Sequence, residues 1–482
     1  MSQAIIEIQD EVNVKFRGLS SDLIERAKKT VTWTVPGFAH MPMYRAGRWD
    51  GTISLMSNTG KTYLNLLDRM LPMLEAAGVE FEIEDNRHDW SDVVDQIVLP
   101  DQYMFSDHTW DGTPDGEPIV LRDYQLDAIH AALLSGQGLL EMATGAGKTI
   151  TCAALSKIYS QFGKVIVLVP SIDLAIQTQA VFKKVGLEPG IWYSELKDAR
   201  DITISTWQSM DHFPELMAGV VCVIVDEAHQ AKAKTIGEIM TGPACNVPFR
   251  FGCTGTVPKE DLSRNQIAGA IGTIIFTLSA WELQQRGVLA SSVALQINMK
   301  DSLNNRYRMA PAFDDWAEQL AWQFGDPDRV AAIVAIIQDY AENEGNTLVF
   351  VPNKEHGKIL ERAIPGSVSL DGDDKPTRRQ KYYKWFNDND NNVLICTYGI
   401  ASTGLDIPRI NVLGFIEPGK KFEKIIQSIG RGLRKAEDKD HVTLLDFCGD
   451  TDFSKKHAAS RRKLYKEANI TCHIEDFDYA NS

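Results

Sequence analysis

The chain has 482 residues, 44% hydrophobic and 24% charged, enough for about three globular domains with sizeable cores. No apolar run approaches the roughly 20 residues that cross a bilayer, and MSQAIIEIQDEV lacks the basic and apolar parts of a signal peptide, so no membrane role is expected. Fifty Lys/Arg against 65 Asp/Glu give a net charge of −15, which argues against a uniformly basic nucleic-acid binder.

Residues 1–106 read as a small α+β domain. VNVKFRG and GTISLMS alternate like strands, while SDLIERAKK and LNLLDRMLPMLEAAG have helical spacing. Charge is split here. Residues 12–74 hold nine Lys/Arg and four Asp/Glu, whereas residues 75–117 hold thirteen acids and one base. Such asymmetry places basic faces on an acidic body. The Gly-, Pro- and Asp-rich segment 107–118 reads as a linker.

Over residues 119–285 the short apolar runs GLLEM, KVIVLVP, ITIST, VVCVIVD and FRFGCTGT alternate with helical patterns. This is the grammar of a parallel sheet covered by helices. A break falls around Leu283–Met309. Residues 286–450 then form a second such set. Asp326 and Pro327 start a helix at RVAAIVAIIQDYAE, followed by NTLVFVP, SVSL, NVLICT, VLGFI and HVTLLDF. Residues 451–482 read as a basic helix and tail, with six Lys/Arg and one Glu in 453–468. The fold class is therefore α/β, two tandem lobes of parallel sheet covered by helices, preceded by the small α+β domain. Seven cysteines with no CxxC pair argue against disulfides or zinc, and a reducing, cytoplasmic compartment is expected.

Four segments carry chemistry. Thr144-Gly145-Ala146-Gly147-Lys148-Thr149 follows the GLLEM strand and opens a helix. Its glycines let backbone N–H groups wrap phosphate oxygens at a helix N-terminus. Lys148 would reach the β- and γ-phosphates, and the Thr149 hydroxyl would hold Mg²⁺. Met142 stands where the strict P-loop has glycine. Asp226-Glu227-Ala228-His229 ends the VVCVIV strand, 77 residues beyond Thr149. One carboxylate can hold Mg²⁺ and the other can polarise an attacking water. Thr254-Gly255-Thr256 ends the next strand and gains weight only as a partner of these two. In the second lobe, QSIGRGLR puts Arg431 and Arg434 on one side of a helix, where arginines could meet transition-state charge.

Together these segments resemble the superfamily 2 helicases over about 330 residues, from Leu121 to Asp446. The resemblance implies two RecA-like lobes, ATP with Mg²⁺, and a nucleic-acid track. Leu121-Arg122-Asp123-Tyr124-Gln125 looks like the adenine-recognition element, implicating Arg122 and Gln125. The family commonly replaces the first P-loop glycine, as Met142 does here. Asp226 and Thr149 would then hold Mg²⁺ and Glu227 would be the general base. His229, Thr254 and Thr256 would couple the nucleotide to motion. Ser171 in VPS and Thr206 in STWQ resemble first-lobe contacts to the nucleic-acid backbone. The segment Thr397–Pro408 is similar to motif V, implicating Thr397 toward nucleic acid and Gly404 and Asp406 toward the nucleotide. QSIGRGLR is similar to motif VI, implicating Gln427, Arg431 and Arg434.

A narrower resemblance, to the UvsW-type branch-migration helicases of tailed bacteriophages, rests on YRAGRWDGTI (44–53) and the basic C-terminal segment. It implies that Arg45, Arg48 and Trp49 touch DNA, that forks, Holliday junctions, D-loops and R-loops are substrates, and that the compartment is the host cytoplasm. An RNA helicase and the motor subunit of a restriction or defence nuclease are the alternatives. A nucleotide-switched binding module fits less well, because the base and both arginines are present.

Overall fold

The computed structural model describes residues 4–110, 116–212, 216–228, 233–258, 260–300, 315–401, 407, 409–419, 441–468 and 470–479. The chain divides into two compact units, one of Met1–Met142 with Gly147–Leu278 and one of Ala143–Ala146 with Ser279–Ser482. Both are α/β.

The first unit opens with β1 (Ala4–Ile8), β2 (Asn13–Arg17), α1 (Ser21–Thr30), β3 (Thr32–Thr34), α2 (Pro42–Arg45), β4 (Thr52–Ser54), β5 (Lys61–Tyr63), α3 (Leu67–Ala76) and β6 (Phe81–Asp85). The strands form a four-stranded sheet in the order β5-β2-β1-β6, with β3-β4 as a separate pair. β1 buries every second residue, as a half-covered strand should. Its apolar face packs under α1 and α3 in a core that includes Ile6, Val14, Phe16, Ala27, Met70 and Leu74. Ser20 starts α1 by accepting the Leu23 N–H at 3.4 Å.

This small domain is bonded to the rest of the first unit. Arg250 is fully buried and donates to the carbonyls of Val247 (2.6 Å) and Glu11 (2.7 Å) and to Gln137. Burial pushes its pKa down to about 10, with the nearby acids Glu11 and Asp10 opposing. Glu11 N donates to the Cys245 carbonyl at 3.0 Å, and the Asn65 amide to that of Gly269 at 3.3 Å.

A strap with α4 (Ser91–Gln96) leads to β7 (Phe105–Thr109) and β8 (Pro118–Ile119). The last two pair antiparallel, so the segment expected as a linker, 107–118, carries paired strand at its ends. Next come α5 (Asp123–Ser135), β9 (Gln137–Met142), α6 (Lys148–Tyr159), β10 (Lys164–Val169), α7 (Ile172–Lys184), β11 (Gly190–Tyr193), β12 (Leu196–Lys197), β13 (Ile202–Thr206), β14 (Val220–Asp226), β15 (Phe249–Thr254) and β16 (Ile274–Leu278). They make an eight-stranded sheet in the order β12-β11-β13-β10-β14-β15-β9-β16, in which only β12 runs antiparallel to its neighbour. All seven residues of β14 are buried. Helices cover both faces of such a strand, which is why VVCVIVD shows no alternation.

The second unit holds β17 (Ser291–Met299), β18 (Thr347–Val351), β19 (Val368–Leu370), β20 (Val393–Thr397), β21 (Val412–Ile416), β22 (His441–Gly449) and β23 (Thr471–Phe477). Their order is β19-β20-β18-β21-β22-β17-β23, and every pairing is parallel. The helix Pro327–Asn343 starts where its cap predicts, with Asp326 accepting from Asp328 N at 3.1 Å and Arg329 N at 3.4 Å. One feature differs from expectation. The break around Leu283–Met309 contains β17, a nine-residue strand that includes the buried Gln296. The segment 451–482 forms a helix and a strand: helix Asp452–Glu467 buries Arg461 against Asp446 at 2.9 Å, and β23 is the seventh strand of the sheet. Burial opposes the Arg461 charge, the Asp446 carboxylate outweighs it, and the guanidinium pKa is raised. Among the described residues no helix is long and apolar enough to cross a membrane.

Candidate nucleotide and nucleic-acid sites

Parallel strands present ligands at their C-terminal ends, and the chemistry-bearing residues of the first unit stand there. β9 ends at Met142 and α6 begins at Lys148, so Thr144, Gly145 and Ala146 lie in the loop between them. Gly145 and Gly147 have φ of 93° and 86°, left-handed values that glycine adopts without a Cβ penalty. A Cβ on Gly147 would also collide with the amide nitrogen of Gln125. Gln125 itself is buried, its Oε1 accepting the Arg122 N–H at 3.0 Å at the start of α5. Gln125, expected to meet adenine, and Gly147 of the glycine-rich loop therefore lie close together. Arg122 is exposed and donates to the Tyr124 hydroxyl at 2.8 Å. Thr149 is half-buried in the first turn of α6.

Lys148 is only 7% exposed, with Nζ 3.4 Å from the Met142 carbonyl and 3.6 Å from Glu227 Oε1. Asp226, the last residue of β14, is buried and accepts the Glu227 N–H at 2.9 Å. Glu227 has φ 51°, a strained value for a non-glycine residue, worth about 1–3 kcal/mol. The bond from Ala228 N to the Cys253 carbonyl, 3.1 Å, helps hold the turn. That bond also joins it to β15, where Thr254 Oγ1 donates to the Thr256 carbonyl at 2.7 Å. Val257 N returns to Glu141 of β9 at 3.2 Å. The three motifs are thus one bonded cluster. Behind it the thiols of Cys152 and Cys253 lie 3.4 Å apart, and their contact, with burial, holds Cys152 well above its ordinary pKa.

The elements expected to contact the nucleic-acid backbone also meet. β10 and β13 are neighbours in register, Val169 opposite Thr206, and the Gln208 amide donates to the Pro170 carbonyl at 2.9 Å. Ser171 caps α7, accepting the Leu174 N–H at 3.3 Å. Thr206 is buried, and its hydroxyl lies 3.0 Å from that of Ser209. In the small domain Arg45 and Arg48 are exposed. Arg45 Nε donates to the Ala39 carbonyl at 3.2 Å. Trp49 is half-buried, its indole N–H held by the Thr52 carbonyl at 2.7 Å.

In the second unit Thr397 ends β20 and is buried. His229, Gly404, Asp406, Gln427, Arg431 and Arg434 lie outside the described residues. Sequence reading missed a buried polar network beside them in the chain. Glu417 follows β21 with φ 45° and 1% exposure, paired with buried Arg329 at 3.0 Å. Ser454 donates to it at 2.8 Å, Gln323 at 3.0 Å, and Gly449 N–H also donates to it. The signal was present. FIEP ends an apolar strand on a glutamate just as VIVDE does. Removing one partner of such a buried pair costs about 3–5 kcal/mol.

The family described as Type III restriction enzyme, res subunit, matches residues 118–259, and the helicase conserved C-terminal domain matches 328–436. The chain is 22% identical over 447 residues to the ATP-dependent DNA helicase uvsW of Enterobacteria phage T4, covering 89% of this chain and 87% of that one. It is 24% identical to the DNA 3'-5' translocase XPB2 of Sulfurisphaera tokodaii, covering 76% and 85%. Its fold is similar to a type ISP restriction-modification enzyme, LlaBIII, bound to DNA, with TM-score 0.60 and 17% identity over 85% of this chain and 34% of that one. With the bonded motif cluster of the first unit and the all-parallel sheet of the second, these matches identify the chain as a member of the superfamily 2 helicases, enzymes that hydrolyse ATP to move on nucleic acid.

Proposed function

We propose that this chain is a DNA translocase that remodels branched DNA, regressing forks, migrating Holliday junctions and unwinding D-loops and R-loops in recombination, repair and replication. The carrying observation is the Lys148–Glu227 pair at 3.6 Å beside Asp226, which sets a phosphate-seeking cation next to two carboxylates. The preference for branched DNA is supported by the uvsW match. At 447 residues it extends beyond the core of about 330, as a substrate-reading accessory domain requires.

In this reading Lys148 meets the γ-phosphate and the Glu227 carboxylate takes a proton from the attacking water. The Thr149 hydroxyl and Asp226 carboxylate are hard oxygen donors that fit Mg²⁺, which would neutralise phosphate charge. Gln125 and Arg122 hold adenine. Thr144, Gly145, Ala146 and Gly147 wrap the phosphates, with Gly404 and Asp406 adding second-lobe contacts to the nucleotide. Gln427, Arg431 and Arg434 meet transition-state charge. Ser171, Thr206 and Thr397 track the DNA backbone, Arg45, Arg48 and Trp49 meet the branch, and His229, Thr254 and Thr256 couple the two sites.

A labelled synthetic Holliday junction tests this. Wild type with ATP and Mg²⁺ should convert it to forked products, and Glu227→Gln should not. An intact junction with wild type would contradict the proposal. A restriction motor is the second reading, favoured by the match over 118–259. ATP-dependent cleavage of duplex DNA in place of migration would select it.

A further inference from the structure

The acidic stretch 75–117 holds none of the residues proposed for the nucleotide site, yet its described part is built firmly. Its inner side is anchored to the first unit. The Trp90 ring meets Phe249 edge-on at 6.5 Å, His130 Nε2 contacts the Pro100 carbonyl at 2.8 Å, and Leu121 N donates to the Gln102 carbonyl at 2.8 Å. Phe105 is fully buried, under the Lys157 ammonium at 5.0 Å. The outer side of a strap fixed this way should be polar. Instead it carries Val94, Val98, Leu99 and Tyr103, exposed by 50%, 80%, 45% and 55%. Val120, beside the Leu121 anchor, and Leu134, one turn beyond His130, are exposed by 42% and 78%. Isolated exposed apolar side chains are ordinary, but a run of them along one anchored path marks an interaction surface.

Charge identifies the occupant. Asp92, Asp95 and Asp101 are exposed among these side chains, in a stretch with thirteen acids and one base. Such a surface repels phosphates, which rules against nucleic acid here. We propose that the outer face of residues 91–103 docks a basic amphipathic segment of a partner protein. Its apolar side chains would cover Val98 and Tyr103, and its Lys or Arg side chains would face the aspartates.

The test uses the full chain and two labelled synthetic peptides of equal positive charge, a leucine–lysine amphipathic helix and a serine–lysine control, followed by fluorescence anisotropy. The leucine–lysine peptide should bind at least about tenfold more tightly. Val98→Ser/Tyr103→Ser should erase that difference. Asp92→Asn/Asp95→Asn/Asp101→Asn should weaken both peptides and flatten the salt dependence. These positions are exposed, so an unchanged melting temperature and DNA-independent ATP hydrolysis verify that the variants fold. Equal affinity for the two peptides, or leucine–lysine binding unaffected by Val98→Ser/Tyr103→Ser, overturns the proposal. Sedimentation velocity of the chain alone adds a second criterion. Self-association lost in Val98→Ser would make a second copy the occupant and also overturn it, whereas a monomer at all concentrations supports it.

Discussion

Lys148 and Glu227 are proposed to divide the work of one site, and their substitutions should then fail differently. Lys148→Ala removes the phosphate-facing charge and leaves Glu227, 15% exposed, without its 3.6 Å partner, so nucleotide affinity and turnover should fall together. Glu227→Gln keeps the shape but loses the base. ATP should stay bound while hydrolysis drops by at least about 100-fold. Equilibrium nucleotide binding and steady-state turnover on both variants check this, and wild-type turnover in Glu227→Gln would remove the assigned base. A second residue-level prediction concerns pH. His356 is 5% exposed, stacked on Phe324 at 3.6 Å, and burial lowers its pKa from 6.5 to about 4. A depressed histidine pKa favours the neutral folded form. The stability it supports is full above pH 6.5 and is lost as pH falls from 6.5 toward 4. Urea midpoints across that window should fall for wild type and fall less for His356→Phe.

At the scale of elements, legibility tracks burial pattern. β14 and β18 are buried at every position because both faces are covered, and their near-continuous apolar runs announce themselves. β17 does not, because Ser291, Ser292, Gln296 and Asn298 interrupt its apolar residues, and the buried Gln296 amide is bonded to Asp446 at 2.9 Å. The basic C-terminal helix is legible as a helix, but its charge count does not show that Arg461 is buried while Lys455, Lys456, Lys463 and Lys466 are exposed. The phosphate loop and the DEAH turn are legible because their chemistry demands fixed neighbours in sequence. The Glu417 network is not, because Arg329, Gln323 and Ser454 come from distant helices. The turn between β3 and β4 carries the element-scale prediction. Trp49 spends its N–H on Thr52, while Arg45 and Arg48 remain exposed. Arg45→Ala/Arg48→Ala should weaken binding to forked DNA and make its salt dependence shallower by about two units of slope at most. Titrations at several salt concentrations measure this, and an unchanged slope would make the turn purely structural.

For the whole molecule, hydrolysis is proposed to need residues from both halves of the chain. Arg431→Ala or Arg434→Ala should cut turnover by about 10³-fold or more, with far less loss of ATP binding. Normal hydrolysis in both variants would leave the second lobe without a catalytic role. The net charge of −15 fits this division of labour, since an acidic body suppresses indiscriminate binding and leaves recognition to local basic faces. The central claim is that ATP turnover is spent on branched DNA. Steady-state ATP hydrolysis should be measured with single-stranded, duplex, forked, Holliday-junction and R-loop substrates at one salt concentration. Strongest stimulation by the branched substrates is the predicted result, and equal stimulation by plain duplex, or a preference for single-stranded RNA, would contradict it.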